Sequence, residues 1–167
     1  MKWYRTPQVS ILWTILRIWL GIQWLEAGWG KVTGDEGFNA GGFIQGAMGK
    51  ASGDHPAVQG WYANFLESFA LPNVGLFNFL IPWGEVLVGL GLIVGLATIP
   101  ALLAGAFMNL NFLLAGTVST NPILYTVTMI LLFVGSGAYY WGLDRLIVPH
   151  IRSRFGKSDE RRPTGAH

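Results

Sequence analysis

The chain has 167 residues, enough for one domain, of which 51% are apolar and only 12% are charged, with a formal net charge of +2. Soluble proteins carry about 25% charged residues, so this composition, with a mean hydropathy of +0.42, favours an integral membrane protein. The absence of cysteine excludes disulfides, thiol chemistry and cysteine-ligated iron–sulfur clusters within the chain. The basic residues cluster in the C-terminal tail, which argues against nucleic-acid binding.

Four apolar runs are long enough to cross a bilayer, which takes about 20 residues. They cover residues 9–29, 76–96, 99–117 and 123–141. The sequence therefore predicts an all-α fold, an integral membrane four-helix bundle formed by residues 1–146 and followed by a basic cytoplasmic tail at residues 147–167. The first run lacks the cleavage pattern of a signal peptide, so we expect it to remain as a helix.

The connection between the first two runs is long and is expected to contain helices of its own. The stretch HPAVQGWYANFLESFALP, residues 55–72, predicts an amphipathic helix that either lies on the membrane surface or caps the bundle. Its apolar residues at helical spacing are Val58, Trp61, Phe65 and Phe69. A second short helix is expected in residues 37–53. Lys and Arg concentrate near both chain ends, which predicts cytoplasmic termini and an external long connection.

Ionisable residues inside the runs are the first candidates for a site. A charged side chain near the bilayer centre costs about 2.5–3.5 kcal/mol on insertion scales, so Arg17 and Glu85 should face protein or water. At 1.5 Å per helical residue, Arg17 lies roughly 12 Å from one end of its run and Glu85 roughly 14 Å from the opposite end of its own. Asn109 reaches about 15 Å by the same rise. The sequence therefore predicts that these three residues share a level and that Arg17 pairs with Glu85.

This predicted cluster has two interpretations. The first is a structural ion pair with an amide brace that holds the helices in register, because polar groups act as interhelical glue in membranes. The second is a polar site for a proton, a quinone headgroup or another small ligand, because intramembrane ionisable residues favour function.

A second polar position lies near the outer end of the first run. Glu26 is nine residues from Arg17 and therefore about 180° away on the helix, on a face that it shares with Gln23. It is either an interfacial carboxylate paired with Lys31, which would contribute little, or a proton-accepting group beside a lipid-accessible quinone pocket. Trp24 is a packing or belt residue that could also line a pocket for a ring.

The histidines favour neither a haem nor a metal site. His55, His150 and His167 all lie outside the four runs, so a haem with two histidine ligands is disfavoured. Metal ligands do not cluster in the sequence, and neither a phosphate-binding loop nor a nucleophile–base pair is evident. We therefore expect no metal and no covalently bound cofactor. In any redox reaction, electrons would come from a partner or pass between diffusible substrates.

Two stretches carry a resemblance to a known family. LRIWLGIQWLEAGWGKVTG in the first run and IPWGEVLVGLGLIVGLATIPALLAGAFMNLNF in the second and third resemble the DoxX/DoxD membrane family over residues 9–146. The DoxD type is a membrane subunit of thiosulfate:quinone oxidoreductase and works with a second subunit. The resemblance implies a small membrane component tied to quinone or oxidative-stress chemistry in a prokaryotic plasma membrane. It would contact lipid, quinone and another protein subunit.

The leading hypothesis is a quinone-interacting subunit of a respiratory oxidoreductase. Glu26 and Glu85 would handle protons, while Arg17 and Asn109 would position Glu85 or a quinone oxygen. Gln23, Trp24 and Lys31 would complete the binding site. A non-catalytic accessory subunit of a respiratory complex, such as a terminal oxidase, is the first alternative. A small transporter is the second.

Overall fold

The computed structural model describes residues 3–35 and 37–156, with the backbone alone for residues 152–156. All regular structure in these residues is helical. The α-helices are α1 Pro7–Thr33, α2 Ala40–Gly49, α3 Gly60–Phe65, α4 Val74–Val94, α5 Thr98–Leu114, α6 Asn121–Val134 and α7 Asp144–Gly156. A π-helical turn, Leu66–Ala70, continues α3, and 3-10 turns lie at Trp3–Arg5 and Gly135–Gly137. The predicted tail begins inside α7, and its part from residue 157 lies outside the described residues, as do Lys2 and Glu36.

Helices α1, α4, α5 and α6 pack around one apolar core. α1 packs mainly against α4, α4 against α5, α5 against α6, and α6 returns to α1. The buried side chains of this core are Leu20, Trp24, Val88, Leu92, Leu102, Leu124, Leu131 and Ala138. The prediction of an all-helical chain is therefore confirmed for the described residues.

Glycines set the separation and register of α1 and α4. A Cβ at Gly21 would lie 2.9 Å from the carbonyl oxygen of Gly89, and one at Gly28 would lie 2.7 Å from the Val86 nitrogen. A Cβ at Gly89 would lie 2.6 Å from the Leu25 nitrogen. Backbone therefore meets backbone along this antiparallel pair, the close approach that small residues permit between membrane helices.

The predicted runs match α1, α4 and α5 to within a few residues, but the fourth is wrong at its end. The sequence predicts helix as far as residue 141, but α6 stops at Val134. It stops there because Gly135 adopts a positive φ of 63°, which breaks the hydrogen-bond pattern of the helix. Among the described helices, α4 alone has both the length and the hydropathy of a membrane span. α5 and the Asn121–Gly137 segment are shorter apolar helices, and α1 is interrupted by charged side chains.

The long connection between α1 and α4 contains helices, as predicted, and forms a small core of its own, but the buried face differs from the expected one. Tyr62, Leu66 and Ala70 point inward against α2, whereas Trp61, Phe65 and Phe69 are exposed. The α3 helix and its π turn thus bury one stripe and present an aromatic stripe outward. Capping the bundle and facing lipid are both compatible with this arrangement.

The α4–α5 hairpin is fastened to the first residue of α7, Asp144. The carboxylate of Asp144 accepts hydrogen bonds from the backbone nitrogens of Ala97 and Thr98, both at 2.7 Å. The Asp144 nitrogen in turn donates to the carbonyl of Gly95 at 2.9 Å. A carboxylate at the N-terminus of α5 satisfies backbone donors that the helix leaves unpaired, so this contact closes one end of the bundle.

We name the close contacts at Gly21, Gly28 and Gly89 between α1 and α4 the glycine seam. A matched pair of substitutions in α4 tests it. We expect Gly89→Ala to lower the free energy of unfolding by about 1–3 kcal/mol, because its methyl group would overlap the α1 backbone. Gly75→Ala should be neutral or slightly stabilising, because open space surrounds that position. Thermal unfolding of both variants in detergent measures the difference, and equal midpoints would contradict the seam.

Candidate functional site

An ion pair lies where the last turn of α1 crosses the first half of α4. The Nζ atom of Lys31 is 2.7 Å from Oε2 of Glu85. The Glu85 side chain is almost fully buried, with 2% exposure, whereas Lys31 retains 29%. A buried carboxylate without a partner is costly, so Lys31 supplies the charge that allows Glu85 to sit in an otherwise apolar interface.

A polar cavity of about 360 Å³ surrounds this pair. Its walls come from α1, α4, the end of α5, the α5–α6 connection and the segment after α1. The lining residues are Gln23, Trp24, Glu26, Ala27, Lys31, Phe38, Phe43, Glu85, Phe112, Thr117, Ser119, Thr120, Asn121 and Leu124. Ser119 holds a positive φ of 38°, which is uncommon for a residue other than glycine and is often found at ligand sites.

Trp24 lines this cavity, and its buried indole N–H has no hydrogen-bond partner among the described residues. Trp24 is 2% exposed, and its Nε1 finds no acceptor within the described part of the chain. Gly105 of α5 leaves room for the ring, since a Cβ there would lie 3.4 Å from Trp24 Nε1. An unsatisfied buried donor costs about 1–3 kcal/mol, so a ligand or water oxygen is expected to accept from it.

Asn109 lies on α5 one helical turn beyond Gly105 and is fully buried. Neither its Oδ1 nor its Nδ2 has a hydrogen-bond partner among the described residues. Contact between Gly84 and Met108 places Asn109 level with Glu85, as the sequence predicts. Asn109 does not line the polar cavity, so it is a neighbour of the site rather than part of its wall.

Arg17 lies at the opposite end of the bundle, and the predicted Arg17–Glu85 pair is wrong. Its Nη2 donates to the carbonyl of Trp141 at 3.0 Å, and its guanidinium packs against Gly95 and Gly142. The predicted pair is wrong because the depth of each residue was counted from the end of its own run, which does not give the register between the two helices. The glycine seam instead sets Arg17 beside Gly95 at the end of α4, about ten residues or roughly 15 Å from Glu85.

The remaining predicted residues meet in one place. Gln23, Trp24, Glu26, Lys31 and Glu85 all line the polar cavity. Of the two alternatives for Glu26, the pair with Lys31 does not form, because Lys31 is bonded to Glu85 and Glu26 stays exposed at the rim. The cavity therefore combines a buried carboxylate with an exposed one.

Sequence reasoning missed the cavity walls that come from outside α1 and α4. The aromatic members are Phe38, Phe43 and Phe112, and the polar members are Thr117, Ser119, Thr120 and Asn121. The polar stretch TVSTNP was interpreted only as a connection and a helix start. Four polar residues in a connection beside the charged end of α1 were the available signal.

The fold and the cavity define a class, an all-helical protein with a polar chamber enclosed by apolar helices. Residues 12–118 match the DoxX family model, so the chain belongs to the DoxX family, whose members are membrane proteins. The match includes most of α1, the long connection that follows it, α4 and α5, and with them Arg17, Glu85 and Asn109. Comparisons with curated proteins and with solved structures return no significant match.

The ion pair predicts a rescue between two variants. Lys31→Met leaves the buried carboxylate of Glu85 unpaired, and we expect a loss of about 1–3 kcal/mol in the free energy of unfolding. Adding Glu85→Gln should restore most of that loss, because the double variant buries no charge. Chemical denaturation in detergent measures this, with Lys50→Met at an exposed lysine as the control. Additive losses would contradict the pair.

Because Arg17 lies away from the polar cavity, we expect its substitution to change the stability of the protein but not its ligand affinity. Arg17→Gln should lower the thermal midpoint by several degrees, because the bond to Trp141 and the charge facing Asp144 are lost. Ligand affinity at the polar cavity should stay within twofold of the wild type. Arg145→Gln, at an exposed arginine, is the control for charge loss. A large affinity loss in Arg17→Gln would place Arg17 in the site after all.

Proposed function

We propose that this chain is a four-helix membrane protein whose polar cavity binds the headgroup of a quinone, as a subunit of a membrane oxidoreductase. The DoxX family match and the span-length α4 support membrane insertion. The outward faces support it as well, because large apolar side chains are exposed on α4, α5 and α6, among them Leu87, Phe107 and Phe133. Local thinning of the bilayer would accommodate the shorter α5 and α6.

The same proposal includes a topology. With both termini cytoplasmic, as the distribution of Lys and Arg predicts, α2 and α3 lie outside and the polar cavity opens near the outer surface. The Arg17 and Asp144 contacts then close the cytoplasmic end. A prokaryotic plasma membrane is the location that the DoxX family resemblance suggests.

The observation that carries the quinone proposal is the unpartnered Trp24 N–H beside the Lys31–Glu85 pair. A quinone carbonyl oxygen accepts hydrogen bonds, and the candidate donors are Lys31 and Trp24, which both line the cavity; Trp24 Nε1 packs against Gly105, so the indole would have to turn for its N–H to reach the ligand. Phe38, Phe43 and Phe112 supply apolar faces against which a flat ring can pack. These aromatic faces and donors fit the flat, hydrogen-bond-accepting head of a quinone.

Proton handling follows from the two carboxylates. Converting one quinone to one quinol takes two electrons and two protons. Glu26 is exposed at the rim and can exchange protons with water, whereas Glu85 is buried and holds Lys31 in place. Electrons would come from a partner subunit, and thiosulfate is a candidate donor by resemblance to the DoxD type.

An accessory role without chemistry is the second candidate. Lys31 and Glu85 satisfy each other, so the pair could act purely as a brace between α1 and α4. The two candidates differ in one respect, since a brace does not require a free acceptor site at Trp24.

Quinone affinity tests the first candidate. Trp24→Phe keeps an aromatic ring, although a smaller one, and removes the N–H, so we expect a water-soluble quinone to bind at least three- to tenfold more weakly, the loss of one hydrogen bond. Trp19→Phe, at an exposed tryptophan of the same helix, should bind as the wild type does. Titration calorimetry in lipid nanodiscs measures both affinities. Undetectable quinone binding by the wild type would favour the accessory role.

A further inference from the structure

A second cavity of about 360 Å³ lies beside the polar one, between the long α1–α4 connection and helices α4 and α5. Its walls are almost entirely apolar, with Leu66, Phe77, Leu80, Ile81 and Met108 among them. We name it the apolar groove. Nothing in the proposed quinone head site uses it.

The two polar side chains in the groove satisfy each other. The Tyr62 hydroxyl donates to Asn111 Oδ1 at 3.0 Å, and Asn111 Nδ2 donates to the carbonyl of Phe107 at 2.8 Å. Burial raises the pKa of Tyr62 above its ordinary value, so the hydroxyl keeps the proton that it donates. The groove therefore presents no free polar group and suits a hydrocarbon.

Two aromatic rings separate the groove from the polar cavity and line both. Phe43 and Phe112 belong to the walls of each, and their ring centroids lie 6.0 Å apart in an edge-to-face arrangement. In this arrangement the two rings are in contact and close the boundary between the two spaces. The polar and apolar chambers thus meet at one aromatic partition.

The rim of the groove faces outward. Phe65, Phe69, Leu80 and Phe107 line the groove and are exposed. In a membrane these side chains would contact lipid, so the groove opens toward hydrocarbon while the polar cavity opens toward Glu26 and the loops.

We propose that the apolar groove holds the isoprenoid tail of the quinone whose head lies in the polar cavity, with the chain passing between Phe43 and Phe112 once the two rings move apart. The inference rests on the proposed function, since it assigns a tail to the same ligand. Its ground is the shared partition: one chamber is polar, the adjoining one is apolar, and a single amphiphile matches both. An acyl chain of a phospholipid is the competing occupant.

The test compares a tail-less benzoquinone with its decyl-substituted analogue in nanodiscs of one lipid composition. Ile81→Trp fills the groove, and Leu87→Trp on the same helix lines neither cavity and is the control. We expect the decyl analogue to lose at least tenfold in affinity in Ile81→Trp, while the tail-less quinone is unchanged. Leu87→Trp should leave both affinities unchanged. Leu80→Trp, at the exposed rim, replaces Ile81→Trp if the latter does not fold.

Each failure has its own signature. Equal effects of Ile81→Trp and Leu87→Trp, or none from Ile81→Trp, would overturn the tail assignment and leave the head site standing. Absence of binding for both quinones would overturn the proposed function itself. A photoreactive alkyl probe adds a further arm, since labelling of α4 and α5 that the decyl quinone fails to displace would assign the groove to a phospholipid chain.

Discussion

The register of α1 against α4 determines where every charged group in this bundle lies. Gly21, Gly28 and Gly89 bring the two backbones together so closely that a methyl group at any of them would overlap the partner helix. If one helix shifted by a turn, larger residues would replace glycines at these contacts, and their side chains would overlap the backbone of the other helix. The register is therefore fixed by packing, and the polar groups follow from it rather than causing it.

Two polar ends of different character result from that register. At one end, Arg17 Nη2 bonds to the Trp141 carbonyl and Asp144 bonds to the start of α5, and these contacts close the bundle, although Arg17 Nε and Nη1 are buried without a hydrogen-bond partner among the described residues. At the other end, Lys31 and Glu85 pair inside a cavity where the Trp24 donor has no partner. Unsatisfied donors thus occur at both ends, and what distinguishes the Lys31–Glu85 end is the cavity that Trp24 lines and Arg17 does not.

The sequence predicted the helices well because long apolar runs and their turns are local properties. It failed on the end of α6, since one positive φ at Gly135 outweighed the continuing apolar pattern. It also failed on the pairing of Arg17 with Glu85, because depth was measured within single helices while register is a relation between two. Gln23, Trp24, Glu26, Lys31 and Glu85 were found from polarity alone, whereas Phe43 and Phe112 are ordinary apolar residues until the fold brings them together.

The most direct test of the central claim is an experimental structure of the protein in lipid with a bromine-labelled quinone, the bromine located by anomalous scattering. We predict bromine density inside the polar cavity, with a quinone oxygen within hydrogen-bond distance of Trp24 Nε1 and the Lys31–Glu85 pair intact. Bromine density elsewhere, with only water or lipid beside Trp24, would contradict the assignment of this cavity as a quinone site.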